Sequence, residues 1–207
     1  MATPVNAEMI ASWRADALDY LRGVMRDRAP ERLGTHQVFD ASPLEGEGPT
    51  VLFEFFLPST TSAAERFFVA GGQTEPNYYP ALDLGFEDAF ALHLGTRFML
   101  VLGVGVSAEV ARPEIDVAKA VQTLVWSVRP GEAVSDIRLA AGFDVEGRFH
   151  GVAQCTVGNQ KAYAFIGEAP PGFSTQVDHP PQVAYRIHLG RALLAGLVSG
   201  TGDSLEE

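Results

Sequence analysis

An α+β fold, with largely antiparallel sheet and four main helices, is predicted by three features of this 207-residue chain. Apolar residues recur at three- and four-residue steps in several segments, as one face of a helix requires. In other segments they alternate, or fill both alternating sets, as strands do. Gly- and Pro-rich turns separate the strands. With 46% hydrophobic and 20% charged residues, the composition is that of an ordinary globular chain. One domain over 1–207 is expected, with a small acidic tail at 199–207 left frayed.

The elements follow in order. Over 6–28, Ile10, Trp13, Ala17, Leu21 and Val24 form one helical stripe, and Ala29-Pro30 ends it. A short strand is expected at 37–39. Over 50–57, Val51, Phe53 and Phe55 occupy one alternating set and Leu52 and Phe56 the other, so this strand is covered on both faces, with Glu54 its odd member. Residues 65–70 return as its hairpin partner. The stretch 71–80 is too rich in Gly and Pro to be regular, and so reads as a loop. Asp83 caps a short helix to Leu94, closed by Gly95. Residues 97–106 form the most apolar strand, and its central run is too short to span a bilayer, which needs roughly 18 apolar residues. Pro113 opens a helix over 114–126 with Ile115, Ala118, Val121 and Val125 inward.

Two hairpins follow. The apolar sets Ile137, Leu139, Ala141, Phe143 and Phe149, Gly151, Ala153, Cys155 are all odd-numbered, so facing pairs require a loop with an odd number of residues. A three-residue loop, Val145-Glu146-Gly147, is predicted, which pairs Phe143 with Phe149 and Asp144 with Arg148. A two-residue turn at Gly158-Asn159 leads to a strand at 161–166. It sets Tyr163 and Phe165 beside Gln154 and Val152, on the face opposite Ala153 and Cys155. That face requires either a helix over it or a partner. The last helix covers 182–198, with Val183, Ile187, Leu194, Leu197 and Val198 inward and His188 and Arg191 opposite.

His93-Leu94-Gly95 recurs as His188-Leu189-Gly190, each in a helix that follows a group of strands. A duplicated α-β-β-β-α unit, with halves 6–106 and 113–198, is the expectation this raises. The helix-strand-helix order is broadly comparable to that of small acidic chaperones of secreted proteins, an analogy of order without a shared motif.

The net charge of -11 and pI near 4.8 argue against nucleic acid, whose phosphates need clustered Lys and Arg. Arginine outnumbers lysine thirteen to two, the lysines being Lys119 and Lys161, a usage that suggests a GC-rich bacterial genome. Cys155 is the one cysteine, and residues 1–4 lack a signal-peptide pattern, so a cytoplasmic protein is expected. His36, His150 and His179 have no metal-ligand spacing, and no nucleophile elbow or phosphate loop occurs, so neither metal nor cofactor is expected.

Two functional readings remain. The first is a non-enzymatic protein-binding module, of adaptor, immunity or secretion-chaperone type. It would use Asn77, Tyr78 and Tyr79 of the 71–80 loop together with Tyr163 and Phe165, and bind another protein or a second copy of itself. The second is an enzyme or small-ligand binder with a pocket around Glu75, Tyr78, His93 and Arg97, in which Glu75 and His93 carry protons. A solvent-accessible His93 favours the second, and an exposed apolar surface the first. Arg186 is a cation that could snorkel, pair with Glu54 or hold an anion. Cys155 reads as a small buried hydrophobe.

Overall fold

The computed structural model describes residues 4–25, 32–39, 42–44, 48–57, 65–72, 76–79, 84–104 and 115–196. Among these residues the fold is α+β, with two four-stranded antiparallel meanders and four helices. The chain divides into two compact units, one reaching to His93 and the other spanning Leu94–Val198.

In the first unit, α1 (Ala7–Met25) begins where the Asn6 carboxamide oxygen accepts the Met9 N–H. The stripe buries Ala17 and Leu21 completely and Trp13 and Ile10 in part, against Val51, Phe53, Phe55, Phe67 and Val69. Val24, expected on that stripe, is exposed at the end of the helix. Strands β1 (Arg32–Phe39), β2 (Thr50–Leu57), β3 (Glu65–Gly72) and β4 (Asn77–Tyr79) lie side by side in sequence order. As its double apolar set demands, β2 is buried on both faces. Phe86 meets Phe68 edge-on, and Phe90 stacks on Phe39. Two expectations are corrected. The first strand is much longer than 37–39, and residues 71–80 are not wholly irregular, because Gly71 and Gly72 extend β3 and Asn77–Tyr79 add an edge strand to it.

The largest correction concerns α2 (Phe86–Val101), a continuous helix where a short helix and an apolar strand over 97–106 were expected. Gly95 does not stop it. A Cβ there would run into the Arg186 carbonyl oxygen of the second unit's last helix, so glycine is present for close packing. The stop comes at Gly103, which is left-handed at φ 68: its N–H reaches Leu100 O and that of Val104 reaches Met99 O, a Schellman closure.

The second unit contains α3 (Val117–Val128), β5 (Val134–Val145), β6 (Arg148–Val157), β7 (Gln160–Gly167), β8 (Gly172–Ser174) and α4 (Pro181–Leu194). The N-cap of α3 is Asp116, whose carboxylate accepts the Lys119 N–H at 3.0 Å. Val121 and Val125 point inward as expected, whereas Ile115 and Ala118 are exposed. Along α4, Ile187 is buried as expected, but Leu194 is exposed and His188 is half-buried, while Leu197 and Val198 lie outside the described residues.

The β5–β6 loop has two residues, not three. Phe143 faces His150 and Val145 faces Arg148 across a turn whose Glu146 and Gly147 both have positive φ, 54° and 75°. The odd-odd pattern is reconciled by bulges, at Ser135/Arg138 and Leu139/Ala141, with Asp136 left-handed at φ 53. The second bulge turns the strand over. Ile137 and Leu139 join the α3-side core, while Ala141, Phe143 and Val145 join the α4-side core. The β6–β7 turn is as expected, with Val157 facing Gln160, Gln154 facing Tyr163 and Val152 facing Phe165.

The two units repeat one order, helix, four strands, helix, with four strands in each where three were expected. The repetition extends to residue positions. The pairs Phe68/Tyr79, Val69/Tyr78 and Ala70/Asn77 reappear as Tyr163/Ser174, Ala164/Phe173 and Phe165/Gly172, 95 positions later in every case (68 to 163, 79 to 174), and His93 to His188 keeps that step. Thr50/Gly72 reappears as His150/Gly167, and Phe39/Thr50 as Phe143/His150. The stack of Phe39 on Phe90 recurs as Phe143 on Tyr185.

Candidate functional site

In the second unit a groove of about 700 Å3, open to solvent, runs between α3 and the end of β7. One wall is the flank of α3, formed by Asp116, Lys119, Ala120, Thr123, Leu124 and Ser127. The other is Phe165, Ile166, Gly167, Ala169 and Pro171, and Ile115, 38% exposed, also lines the groove. Small residues make the room. Gly167 has φ 80, and any side chain on it would strike the Phe149 carbonyl, so this wall cannot fill the groove. A second cavity of about 350 Å3 shares Ile115 and Gly167 and adds Gly147, Arg148, Phe149 and Glu168. Farther along α3, Trp126 is 47% exposed, its indole N–H donating to Glu132 O.

The groove is chemically quiet. Among the described residues that line it, Asp116 is the only carboxylate, already accepting a hydrogen bond as the helix cap, and Lys119 is the only cation. When the buried pair Ala17 and Leu21 of α1 is matched to Val121 and Val125 of α3, Asp16 and Asp19 stand in place of Ala120 and Thr123.

His93 is buried, 1% exposed, and its Nδ1 shares a 2.9 Å hydrogen bond with the Tyr79 hydroxyl, an edge-to-face ring pair within the first unit. Arg97 is half-buried in the second unit, and Asn77 is half-buried in β4. Glu75 and the side chain of Tyr78 lie outside the described residues. Tyr163 and Phe165 are buried: α4 covers their face, Tyr163 donating to His179 O and Phe165 stacking on the His188 ring at 3.9 Å. The apolar face they form is therefore closed by a helix, the first of the two outcomes open to it.

Several titratable groups are held inside the fold by hydrogen bonds. His150 and the Tyr185 hydroxyl share a 2.7 Å hydrogen bond in the second core, and burial lowers the imidazole's pKa and raises the phenol's. His188 donates from Nε2 to Pro170 O, and burial again favours its neutral ring. Cys155 is buried beside Ala162, with its thiol pushed up by desolvation. Glu54 pairs with Arg66, and Thr35 donates to it from both N–H and hydroxyl, so Arg66 is its ionic partner where Arg186 was considered. Among the described residues no group of three His, Cys, Asp or Glu side chains could hold a metal ion, and no helix is long and apolar enough to cross a membrane.

The groove residues escaped the reading of the sequence because inward positions were sought on α3, and its flank is neither strongly apolar nor charged. The available signal was the run of small uncharged residues Ala120, Thr123 and Ser127 along one side of an otherwise ordinary helix. In comparisons with protein families, curated proteins and solved structures, nothing matches the chain.

Proposed function

We propose that this chain is a non-enzymatic protein-binding module of a bacterial cytoplasm, of adaptor, immunity or secretion-chaperone type, and that the groove beside α3 is its docking surface. The observation that carries the reading is an open groove of about 700 Å3 lined mainly by small and apolar residues beside Asp116 and Lys119, with Ile115, 38% exposed, on its wall. Apolar surface left in contact with water costs free energy, roughly 25 cal/mol per Å2, which a partner's apolar side chains recover on binding. The buried position of His93 weighs against the pocket alternative. A net charge of -11 favours partners with basic flanks, through faster encounter more than through tighter contact.

Site-specific photo-crosslinking in the producing cell tests this. A photoreactive phenylalanine at Thr123, inside the groove, should give a discrete protein adduct, while the same probe at Gln122, exposed outside the groove, should not. Equal adducts at both positions, or none at Thr123 in a folded protein, would remove the groove as the docking surface.

A further inference from the structure

After β7 the chain continues as a strap, residues 168–174, with Pro170 and Pro171 near its middle. Neither proline has an N–H to give, so the strap's backbone bonds lie toward its ends. At one end the Glu168 N–H donates to Phe149 O at 2.9 Å, and at the other Gly172–Ser174 pair with β7 as a three-residue edge strand. The middle is fastened by a side chain of α4. His188 donates from Nε2 to Pro170 O at 2.7 Å, and its ring lies flat on Phe165, with centroids 3.9 Å apart and planes 4° from parallel. A Cβ on Gly172 would stand 2.6 Å from Cε1 of that ring, so β8 has glycine where the imidazole presses on it. On either side of the fastened carbonyl, Ala169 and Pro171 form part of the groove wall.

The first unit uses the equivalent imidazole differently. His93 bonds the Tyr79 hydroxyl, and the position of Tyr79 is Ser174 in the second unit. His188 faces a cavity of about 40 Å3, whose other charged or titratable groups are Arg191 on α4 and His179 in the connector after β8. From β7 and β8 come Phe165, Phe173 and Ser174, which have no charge to offer. The nearby phenols are engaged, Tyr163 with His179 O and Tyr185 with His150. Among the described residues lining this cavity there is no carboxylate, since Glu168 and Asp178 are exposed outside it.

We infer that His188 is an acid-sensitive latch: neutral, it holds the strap and with it the Ala169 and Pro171 wall of the groove, and protonated, it swings to water and lets the strap go. The latch is independent of what the groove receives. A charged ring gains from Pro170 O and from the face of Phe165, but it loses water and meets Arg191. Burial is the largest of these effects and holds the folded imidazole below its ordinary pKa. The latched form thus binds the proton less well than the open form. Closure is fully favoured above about pH 6.5 and weakens as pH falls below that value.

Hydrogen–deuterium exchange on the full chain, compared at pH 7.5 and 5.5 after correction for the chemical exchange rate, tests the latch. One proton with an open-state pKa of about 6.5 can lower the protection of Gly172–Ser174 by at most about tenfold over that range, and a fall of about twofold or more is expected. His188→Gln keeps a side-chain N–H for Pro170 O but cannot charge, so it should abolish the fall, whereas His179→Gln should not. A wild-type fall of less than about twofold, or an equal fall in His188→Gln, overturns the latch. Should His188→Gln fail to fold, the wild type decides: protection must be lost at the midpoint where the His188 Cε1 proton titrates by NMR, and separate midpoints overturn the latch. No partner is present in either measurement, so failure here leaves the docking reading standing.

Discussion

Glu54 is the only acid buried in β2, and every group around it favours its charge. Burial by itself would raise its pKa. The Thr35 N–H, the Arg66 guanidinium and the Thr35 hydroxyl more than offset this and hold the carboxyl below its ordinary value. A carboxyl depressed in the folded state stabilises it fully above the unfolded-state pKa, about 4.3, and that contribution is lost as pH falls through the lower folded-state value. Glu54→Gln should therefore cost about 2 kcal/mol at pH 7, a moderate figure because Arg66 is one-third exposed and can regain water. Urea denaturation from pH 7 to 3 should show the gap between the two proteins closing below about pH 4. A gap constant with pH would mean that the charge is not what the pocket holds. At this scale the sequence was partly legible. Glu54 was visible as an anomaly in an apolar strand, but its partner was not, because Arg66 lies across a register that only the folded hairpin sets.

Strands with two apolar sets, the two-residue turn at Gly158-Asn159 and the inward stripe of α1 could be read from pattern alone. Of the misread elements, two have a clear physical reason. Residues 97–101 are apolar enough for a buried strand, yet Leu100 and Val101 are exposed on the last turn of a helix that continues through Gly95. Glycine there marks close helix packing in the second unit, a tertiary cause invisible to local rules. The β5–β6 register failed because bulges, not the loop, absorb the mismatch in parity. The candidate site was the least legible feature, since no single residue of α3 announces a groove. Gly95→Ala discriminates the two meanings of that glycine. As a mere helix breaker, its replacement would stabilise by up to about 1 kcal/mol. As the point where α2 meets the Arg186 backbone, replacement should destabilise by about 1–3 kcal/mol, measured by thermal or urea denaturation.

Across the whole molecule, the two units repeat register, strand order and an aromatic stack, yet they place different polar groups at matching positions. In the first unit Phe90 stacks on Phe39 beside Thr50. In the second, the same three positions are Tyr185, Phe143 and His150, and the extra phenol hydroxyl is matched by the extra imidazole. If the units are versions of one design, this pair was exchanged together, and exchanging it back should be tolerated. Tyr185→Phe alone strands a buried imidazole nitrogen and should cost about 1–3 kcal/mol. His150→Thr alone strands the phenol and leaves a void, at a similar cost. The double variant, which installs the Phe90 and Thr50 pair of the first unit, should lose less than the sum of the two, with a coupling of at least about 1 kcal/mol in a double-mutant cycle. Additive losses would mean that His150 and Tyr185 hold independent places in the second core, and that the matching positions are alike in backbone alone.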